Sequence, residues 1–215
     1  MSRNLRLLRL FTVLGAALAV AACSKLFTET PRPLYRLSAP ADIGTGLPPT
    51  KAQIVIDAPY SPEGLELRRI AVVRASNGLD YLADGDWADR TPAMIRAVLV
   101  EAFENSRAVA AVGPDTLDLR ADFELDGDLR HFEAVYDSPG GAAAGTPTVW
   151  VSLAVKLVKI PEHKILAQTI INAHEPAAAN ATPQIVAAFN AATGSVAKQV
   201  VAWVLTNPAL SASRR

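Results

Sequence analysis

The stretch Thr148–Val158, TVWVSLAVKLV, decides the fold because large apolar residues alternate in it with polar or smaller ones. An alternation of period two places successive side chains on opposite faces of a strand, so the stretch predicts a strand with one buried face. Pro161-Glu162-His163 predicts a turn, and Ile165–His174 predicts a second strand that runs back beside the first. The set expected to face the core is Val149, Val151, Leu153, Val155 and Leu157.

Two amphipathic helices flank this region. Each begins with Thr-Pro, at Thr91-Pro92 and Thr182-Pro183, which predicts a threonine N-cap with proline in the first turn. Asn207-Pro208 is expected to end the second helix. The apolar stripes that recur at helical spacing are Ile95, Val98, Leu99, Ala102 and Phe103 in the first helix, and Ile185, Phe189, Ala192, Val196, Val200 and Trp203 in the second.

Shorter strand signals complete the pattern. The expected strands are Tyr35–Leu37, Gln53–Ala58, Arg68–Arg74, Leu79–Leu82 and Ala121–Phe132, with Asn77-Gly78 as a hairpin turn and a return segment at Arg107–Val112. Because the connections are short and hairpin-like, we expect an α+β fold with a mostly antiparallel sheet and the two helices packed on one face.

The N-terminus has the pattern of an export signal. Arg3, Arg6 and Arg9 precede an uncharged apolar run, Leu10–Ala22, whose 13 residues are too few for a spanning helix, which needs about 20. The run closes on Val20-Ala21-Ala22-Cys23, which resembles the bacterial lipobox, and Cys23 is the only cysteine. The predicted organisation is a signal peptide (1–22), a lipidated tether (23–34), a single domain (35–207) and a tail (208–215).

Lipidation at Cys23 sets the expected location. The mature chain would carry diacylglycerol and an N-acyl chain such as palmitate on Cys23, and no other cofactor is expected. Ser24 stands where aspartate would retain a bacterial lipoprotein in the inner membrane, so we expect the periplasmic face of the outer membrane. Without residues 1–22 the chain has 18 basic and 21 acidic residues, a net charge of −3, so acyl chains rather than charge would hold it.

Composition and motifs exclude several function classes. Zero formal charge, with 21 basic and 21 acidic residues, argues against a nucleic-acid binder. One cysteine excludes an internal disulfide and any zinc site built from cysteine pairs. Ser195-Val196-Ala197-Lys198 matches the S-x-x-K of serine β-lactamases, but the S-D-N and K-T-G elements are absent. We therefore expect no enzyme.

Two further patterns could hold a metal. Asp122, Glu124, Asp126, Gly127 and Glu133 nearly meet the EF-hand calcium pattern, but the surrounding alternation is that of a strand, whereas an EF-hand needs flanking helices. His131 and Glu133 could be a ligand pair on that strand, yet no third ligand stands at a recognisable spacing. We expect no metal site.

The order of these elements resembles the ABC-type transport auxiliary lipoprotein family, of the paraquat-inducible protein C type. The resemblance rests on Cys23, Tyr35-Arg36-Leu37, the strand Arg69–Val73, Leu79-Asp80-Tyr81, and Trp87-Ala88-Asp89 before Pro92. It implies a non-enzymatic partner of an MCE-domain periplasmic protein and its ABC transporter, in lipid transport between membranes. Homo-oligomerisation stays open. The alternative is a lipoprotein cofactor of peptidoglycan synthesis, although the 11 tether residues after Cys23, Ser24–Leu34, reach only about 35 Å, which is short for crossing that layer.

The candidate functional residues fall into two groups. Cys23 is the predicted lipidation site. Tyr35 and Trp87 match the family's motif and are candidates for a partner interface, as is the acidic face formed by Asp122, Glu124 and Asp126. Core packing is the alternative for the two aromatic residues, and a solvated strand face is the alternative for the acids.

Overall fold

The computed structural model describes residues 31–74, 78–115, 120–136 and 145–212. The signal sequence, Cys23 and most of the tether lie outside these residues, as do Asn77 and most of the Ser138–Pro147 loop. The described part from Pro33 onward is one compact unit.

Eight strands and three helices form along the described residues. In chain order they are β1 (Leu34–Tyr35), β2 (Gln53–Ile56), β3 (Arg69–Arg74), β4 (Gly78–Trp87), α1 (Thr91–Ser106), β5 (Ala111–Pro114), β6 (Phe123–Val135), β7 (Thr148–Lys159), β8 (Lys164–Pro176), α2 (Thr182–Leu205) and α3 (Pro208–Ala212). The stretch Thr148–Val158 lies in β7, and its predicted strand and following turn are confirmed.

The sheet is mixed, so the expectation of a mostly antiparallel sheet was wrong. Four strand pairings are parallel (β1–β4, β2–β5, β2–β6 and β3–β6), against three antiparallel ones (β3–β4, β6–β7 and β7–β8). The reason is that β2 and β3 both lie on one edge of the long β6 instead of pairing with each other. Ile54–Ile56 pair with Phe123–Leu125 near the start of β6, and Val72–Val73 pair with Ala134–Val135 near its end.

The core lies between one face of the sheet and the helices. The α1 stripe is buried as predicted, and in α2 all of the stripe is buried except the half-buried Trp203. A small void of about 10 Å³ marks where α1, α2 and the sheet meet, with Ile95, Val196 and Leu153 among its walls. Packing on one face is therefore confirmed, and no helix among the described residues covers the opposite face of β6, β7 and β8.

Helix α2 is the one described helix that is long and apolar enough to cross a membrane, by length and composition. Of its most apolar window, 61% is buried inside the protein. This burial is what the core helix of a folded domain shows, since its apolar stripe is in contact with β7 and β8.

The predicted helix caps were wrong in detail. Arg90 and Ala181 occupy the N-cap positions, without a side-chain cap, and the two threonines begin the helices themselves. Thr91 instead donates its hydroxyl to the carbonyl oxygen of Leu67, 3.3 Å away. The proline that follows each threonine then takes the second helical position, where a missing N–H costs no intrahelical hydrogen bond.

The return segment was also placed differently from the prediction. Gly113 and Pro114, which follow the predicted segment Arg107–Val112, belong to the edge strand β5, which pairs in parallel with β2. An edge strand tolerates proline because only one side of its backbone must donate to the ladder.

Candidate functional site

The candidate site is the face of β6, β7 and β8 that no described helix covers, here called the open face. Alternation along the strands sends one set of side chains to this face and the other to the core. Its members are Glu124, Asp126, Asp128, His131 and Glu133 from β6, Trp150, Ser152, Ala154 and Lys156 from β7, and Gln168, Ile170, Asn172 and His174 from β8.

A bulge in β6 determines which side chains reach the open face. Leu129 lies opposite Leu153 and His131 lies opposite Ser152, so Arg130 is an extra residue without a partner in β7. The inserted residue reverses the alternation. As a result Leu129 and Phe132 both face the core, while His131 faces outward.

One end of the open face is acidic. Ile56 pairs with Leu125, and the backbone N–H of Asp57 continues the ladder to the carbonyl of Leu125 at 3.2 Å. This brings the Asp57 carboxyl within hydrogen-bonding reach of Glu124, with Asp126 close by. Partial burial, then the hydrogen bond and negative charge of Glu124, raise the pKa of Asp57 to about 6. Lys156, directly opposite Asp126, pairs with its carboxylate at 3.3 Å.

The other end of the open face carries an aromatic stack. The rings of His131 and Trp150 lie with centroids 3.4 Å apart and planes inclined by 10°, and His174 lies beyond Trp150 at 5.3 Å. Glu133 is nearly buried, and its carboxylate bonds Nδ1 of His131 at 2.6 Å and accepts the backbone N–H of Phe132 at 2.5 Å. These contacts hold the imidazole over the indole.

Between the two ends lies a shallow groove of about 320 Å³. It is lined by Asp128, Arg130, Ala154, Lys156, Gln168 and Ile170, and the Ile170 side chain is 50% exposed. Polar, charged and apolar atoms thus share one continuous surface, as in the interfaces of proteins that bind other proteins.

The structure brings Tyr35 and Trp87 together at the other edge of the sheet. They are register partners in the parallel β1–β4 pairing, and the carbonyl of Tyr35 accepts the N–H of Ala88 at 2.7 Å. Trp87 is fully buried against Phe132 and Phe189, at centroid distances of 5.7 and 5.2 Å. It has no surface to offer a partner, so its position matches the core-packing alternative, whereas Tyr35 is only half-buried.

The three predicted acids have different surroundings. Asp122 is exposed and joins β2 to β6, since its carboxylate accepts the N–H of Gln53 at 2.8 Å and its own N–H donates to the Gln53 carbonyl at 2.9 Å. Glu124 and Asp126 are half-buried on the open face. Sequence reasoning did not single out Asp57, Trp150 or His174. The alternation of β7 indicated that Trp150 points away from the core, but the neighbour of Asp57 depends on a pairing between distant strands.

The structure does not build a site around the EF-hand-like pattern or the S-x-x-K match. Asp122–Glu133 lies almost wholly in β6, without the flanking helices of an EF-hand. Within the described residues, no group of three or more His, Cys, Asp or Glu side chains is placed to hold a metal ion. Ser195 and Lys198 are both exposed on α2, and the Ser195 hydroxyl accepts a hydrogen bond from the Gln199 amide at 3.3 Å.

The fold and the open face define a class: a two-layer α+β domain with helices on one face of its sheet and a charged, uncovered surface on the other. The chain belongs to the family of ABC-type transport auxiliary lipoprotein components, whose model matches residues 35–201. The resemblance seen in the sequence is thereby confirmed. The members of this family are described as auxiliary lipoprotein components of ABC-type transport.

Similar proteins support the fold. An uncharacterized protein of Bradyrhizobium diazoefficiens is 27% identical over 172 residues, which are 80% of this chain and 44% of the relative. The chain therefore spans less than half the length of this curated relative. The crystal structure of XCC0632 from Xanthomonas campestris, of the DUF330 family, superposes with a TM-score of 0.72 at 24% identity, covering 85% of this chain and 97% of that one. The crystal structure of another uncharacterized protein gives a TM-score of 0.60 at 11% identity, covering 81% and 99%.

Proposed function

We propose that this protein is the outer-membrane-anchored, non-enzymatic auxiliary component of an MCE-dependent ABC system that moves lipid between membranes, and that it docks its periplasmic MCE partner through the open face. Family membership supports the transport role. The resemblance to the paraquat-inducible protein C type supports the MCE partner, and the lipobox at Cys23 with Ser24 supports the outer-membrane location.

The proposal of a docking surface rests on one observation: Asp57, Glu124 and Asp126 lie together on a sheet face that no described helix covers. Burial and the neighbouring carboxylate hold the pKa of Asp57 near 6, so bringing these groups together opposes ionisation. A partner's basic group placed over them would relieve the repulsion and gain a charge-assisted hydrogen bond. Such a surface steers a basic partner and fixes its orientation more than it adds raw affinity.

Neutralising the acidic end tests the docking surface. We compare the wild-type lipoprotein with the double variant Glu124→Gln/Asp126→Asn, each expressed at native level, crosslinked in cells and purified in mild detergent. The amides preserve shape while removing two charges. We expect the amount of MCE protein recovered to fall at least tenfold, about 1.4 kcal/mol of binding free energy.

A matched control removes a charge elsewhere. Glu104 is exposed on α1, which covers the opposite face of the sheet, so Glu104→Gln should leave recovery unchanged. Equal recovery with the double variant and the wild type would place the docking surface elsewhere. If the wild type itself recovers no MCE protein, or recovers penicillin-binding proteins instead, the proposed transport role is wrong.

A further inference from the structure

Given the docking role proposed above, on which this inference rests, we propose that the groove in the middle of the open face receives an aromatic side chain of the MCE partner. The same extended partner segment carries a basic residue, two or four positions away, that binds the acidic end. The groove over Ala154, here called the central groove, is then the anchor point of the interface and determines which partner segments fit.

Four residues from neighbouring segments lie in one row across the open face. Tyr60 bridges Asp128 in parallel, Asp128 pairs with Ala154, and Ala154 pairs with Ile170. Register partners in a sheet project their side chains to the same face. Tyr60 and Ile170, at the two ends of the row, are 72% and 50% exposed. Ala154 has only a methyl group, so it forms the floor of the central groove and Ile170 forms an apolar wall.

The two cations that line the central groove are already paired. Lys156 pairs with Asp126 at 3.3 Å, and Arg130 pairs with Asp128 at 3.7 Å. A charged partner group in the groove would have to compete with one of these pairs. An uncharged aromatic ring packs on the apolar floor and wall, and it is also attracted by a guanidinium such as that of Arg130. The groove therefore favours an aromatic side chain over a charged one.

The central groove also has the position of an interface anchor. It lies between the acidic end and the aromatic stack, and its volume of about 320 Å³ has room for one large side chain. In protein interfaces the binding free energy is concentrated in a few central side chains, often aromatic, which are surrounded by contacts that exclude water. A lipid acyl chain fits less well, because most of a long chain would stay in water over a groove this shallow.

The strand register sets the spacing between the two partner side chains. Asp126 lies opposite Lys156, two residues beyond Ala154. Glu124 lies opposite Val158, four residues beyond Ala154. At about 3.3 Å per residue, these acids lie about 7 and 13 Å from the groove along the strand. An extended partner segment has the same rise, so its aromatic and basic residues share a face and match both sites when they are two or four positions apart.

Filling the central groove tests the anchor. The wild-type lipoprotein and Ala154→Trp are expressed at native level, crosslinked in cells and purified in mild detergent. The new indole occupies the groove, so the recovered MCE protein should fall about tenfold or more. Ala187→Trp adds the same ring at an exposed position on α2 and should leave recovery unchanged. Far-ultraviolet circular dichroism verifies that both variants keep the fold.

Two further measurements do not require a filled groove. Ile170→Ser removes the apolar wall and should lower recovery, whereas Ile170→Leu should preserve it. Replacing the exposed Gln168, which also lines the groove, by the photoreactive p-benzoylphenylalanine should give a crosslink to the MCE protein. Mass spectrometry should locate the link in a segment with an aromatic and a basic residue two or four positions apart. The same replacement at Gln184, exposed on α2, should give no such link.

The outcomes separate this anchor from the docking role itself. If Ala154→Trp leaves recovery unchanged while Glu124→Gln/Asp126→Asn lowers it, the anchor is wrong and the docking role stands. If the wild type recovers no MCE protein, both are wrong. A crosslink from position 168 only to lipid, only to a second copy of this chain, or to a partner segment without an aromatic residue would also overturn the anchor.

Discussion

The imidazole of His131 lies on the indole of Trp150, with ring centroids 3.4 Å apart, because an extra residue at Arg130 turns His131 to the outside of the sheet. The same bulge turns Phe132 inward, where it meets Trp87 and Phe189. One inserted residue thus places both the aromatic stack of the open face and the aromatic centre of the core.

Deleting Arg130 should therefore be tolerated. The deletion removes the bulged residue itself, so Leu129 and Phe132 stay in the core and His131 stays outside. Its exposed ion pair with Asp128, at 3.7 Å, contributes little. We expect an unchanged far-ultraviolet circular dichroism spectrum and a small loss in the free energy of unfolding, measured with urea.

Deletion of Asp128 is the matched control for Arg130. It would put Leu129 on the open face or draw Arg130 into the core, at a cost of about 2–5 kcal/mol, comparable to removing a buried leucine side chain. If the two deletions lower the free energy of unfolding equally, the bulge does not determine which side chains of β6 face the core.

The sequence predicted those features that depend on local pattern. The alternation of Val149–Leu157 and the helical stripe from Ile95 to Phe103 identify a strand and a helix because each pattern has its own period. The sequence did not predict the parallel pairing of Ile54–Ile56 with Phe123–Leu125. These segments are about 70 residues apart, and no short turn connects them. The closeness of Asp57 to Glu124 follows from that pairing, so it could not be predicted either. The bulge at Arg130 also has no signal, because an exposed arginine fits either register.

A contact between β1 and β4 makes Gly85 sensitive to substitution. A Cβ there would lie 2.6 Å from Cε2 of Tyr35 and 3.0 Å from Cγ2 of Thr182. Gly85→Ala should therefore lower the free energy of unfolding by about 1–3 kcal/mol, as other overpacked sites do. Thermal and urea unfolding of the detergent-solubilised lipoprotein measure the change.

Two further variants distinguish the steric clash at Gly85 from the general effect of replacing a glycine by alanine. Gly78→Ala is the control, because nothing lies within 4 Å of a Cβ there. In a Tyr35→Ala background the cost of Gly85→Ala should shrink, since the ring that it strikes is gone. An undiminished cost in that background would mean that Tyr35 does not occupy the space beside Gly85.

Replacing each of two buried threonines by valine should change the free energy of unfolding in opposite directions. Thr193 is 2% exposed and its hydroxyl has no hydrogen-bond partner among the described residues, whereas Thr91, 1% exposed, bonds the Leu67 carbonyl at 3.3 Å. Thr193→Val should raise the free energy of unfolding by about 1 kcal/mol, because it removes a buried unsatisfied group. Thr91→Val should lower it by a similar amount. Both are read from urea unfolding, and equal effects would contradict the assigned hydrogen bonding.

Asp57 should make stability depend on pH. Its ordinary pKa of 3.8 is raised to about 6 in the folded protein, so the folded state binds a proton over a range where the unfolded state has released it. Stability linked to this group is therefore greatest below pH 4, declines as pH rises from about 4 to 6, and stays reduced above that range. The sign is opposite to that of a carboxylate stabilised by an ion pair.

Asp57→Asn should accordingly stabilise the protein at pH 7 relative to the wild type, and this advantage should disappear near pH 4. The free energy of unfolding of both proteins, measured at intervals from pH 4 to 7, gives the difference directly. Glu124→Gln should shift the transition of Asp57 toward lower pH, because it removes the neighbouring negative charge while burial, the larger cause, remains. Asp84→Asn, at an exposed position on β4, is the control. A constant difference between Asp57→Asn and the wild type across this range would show that Asp57 ionises as an ordinary surface carboxyl.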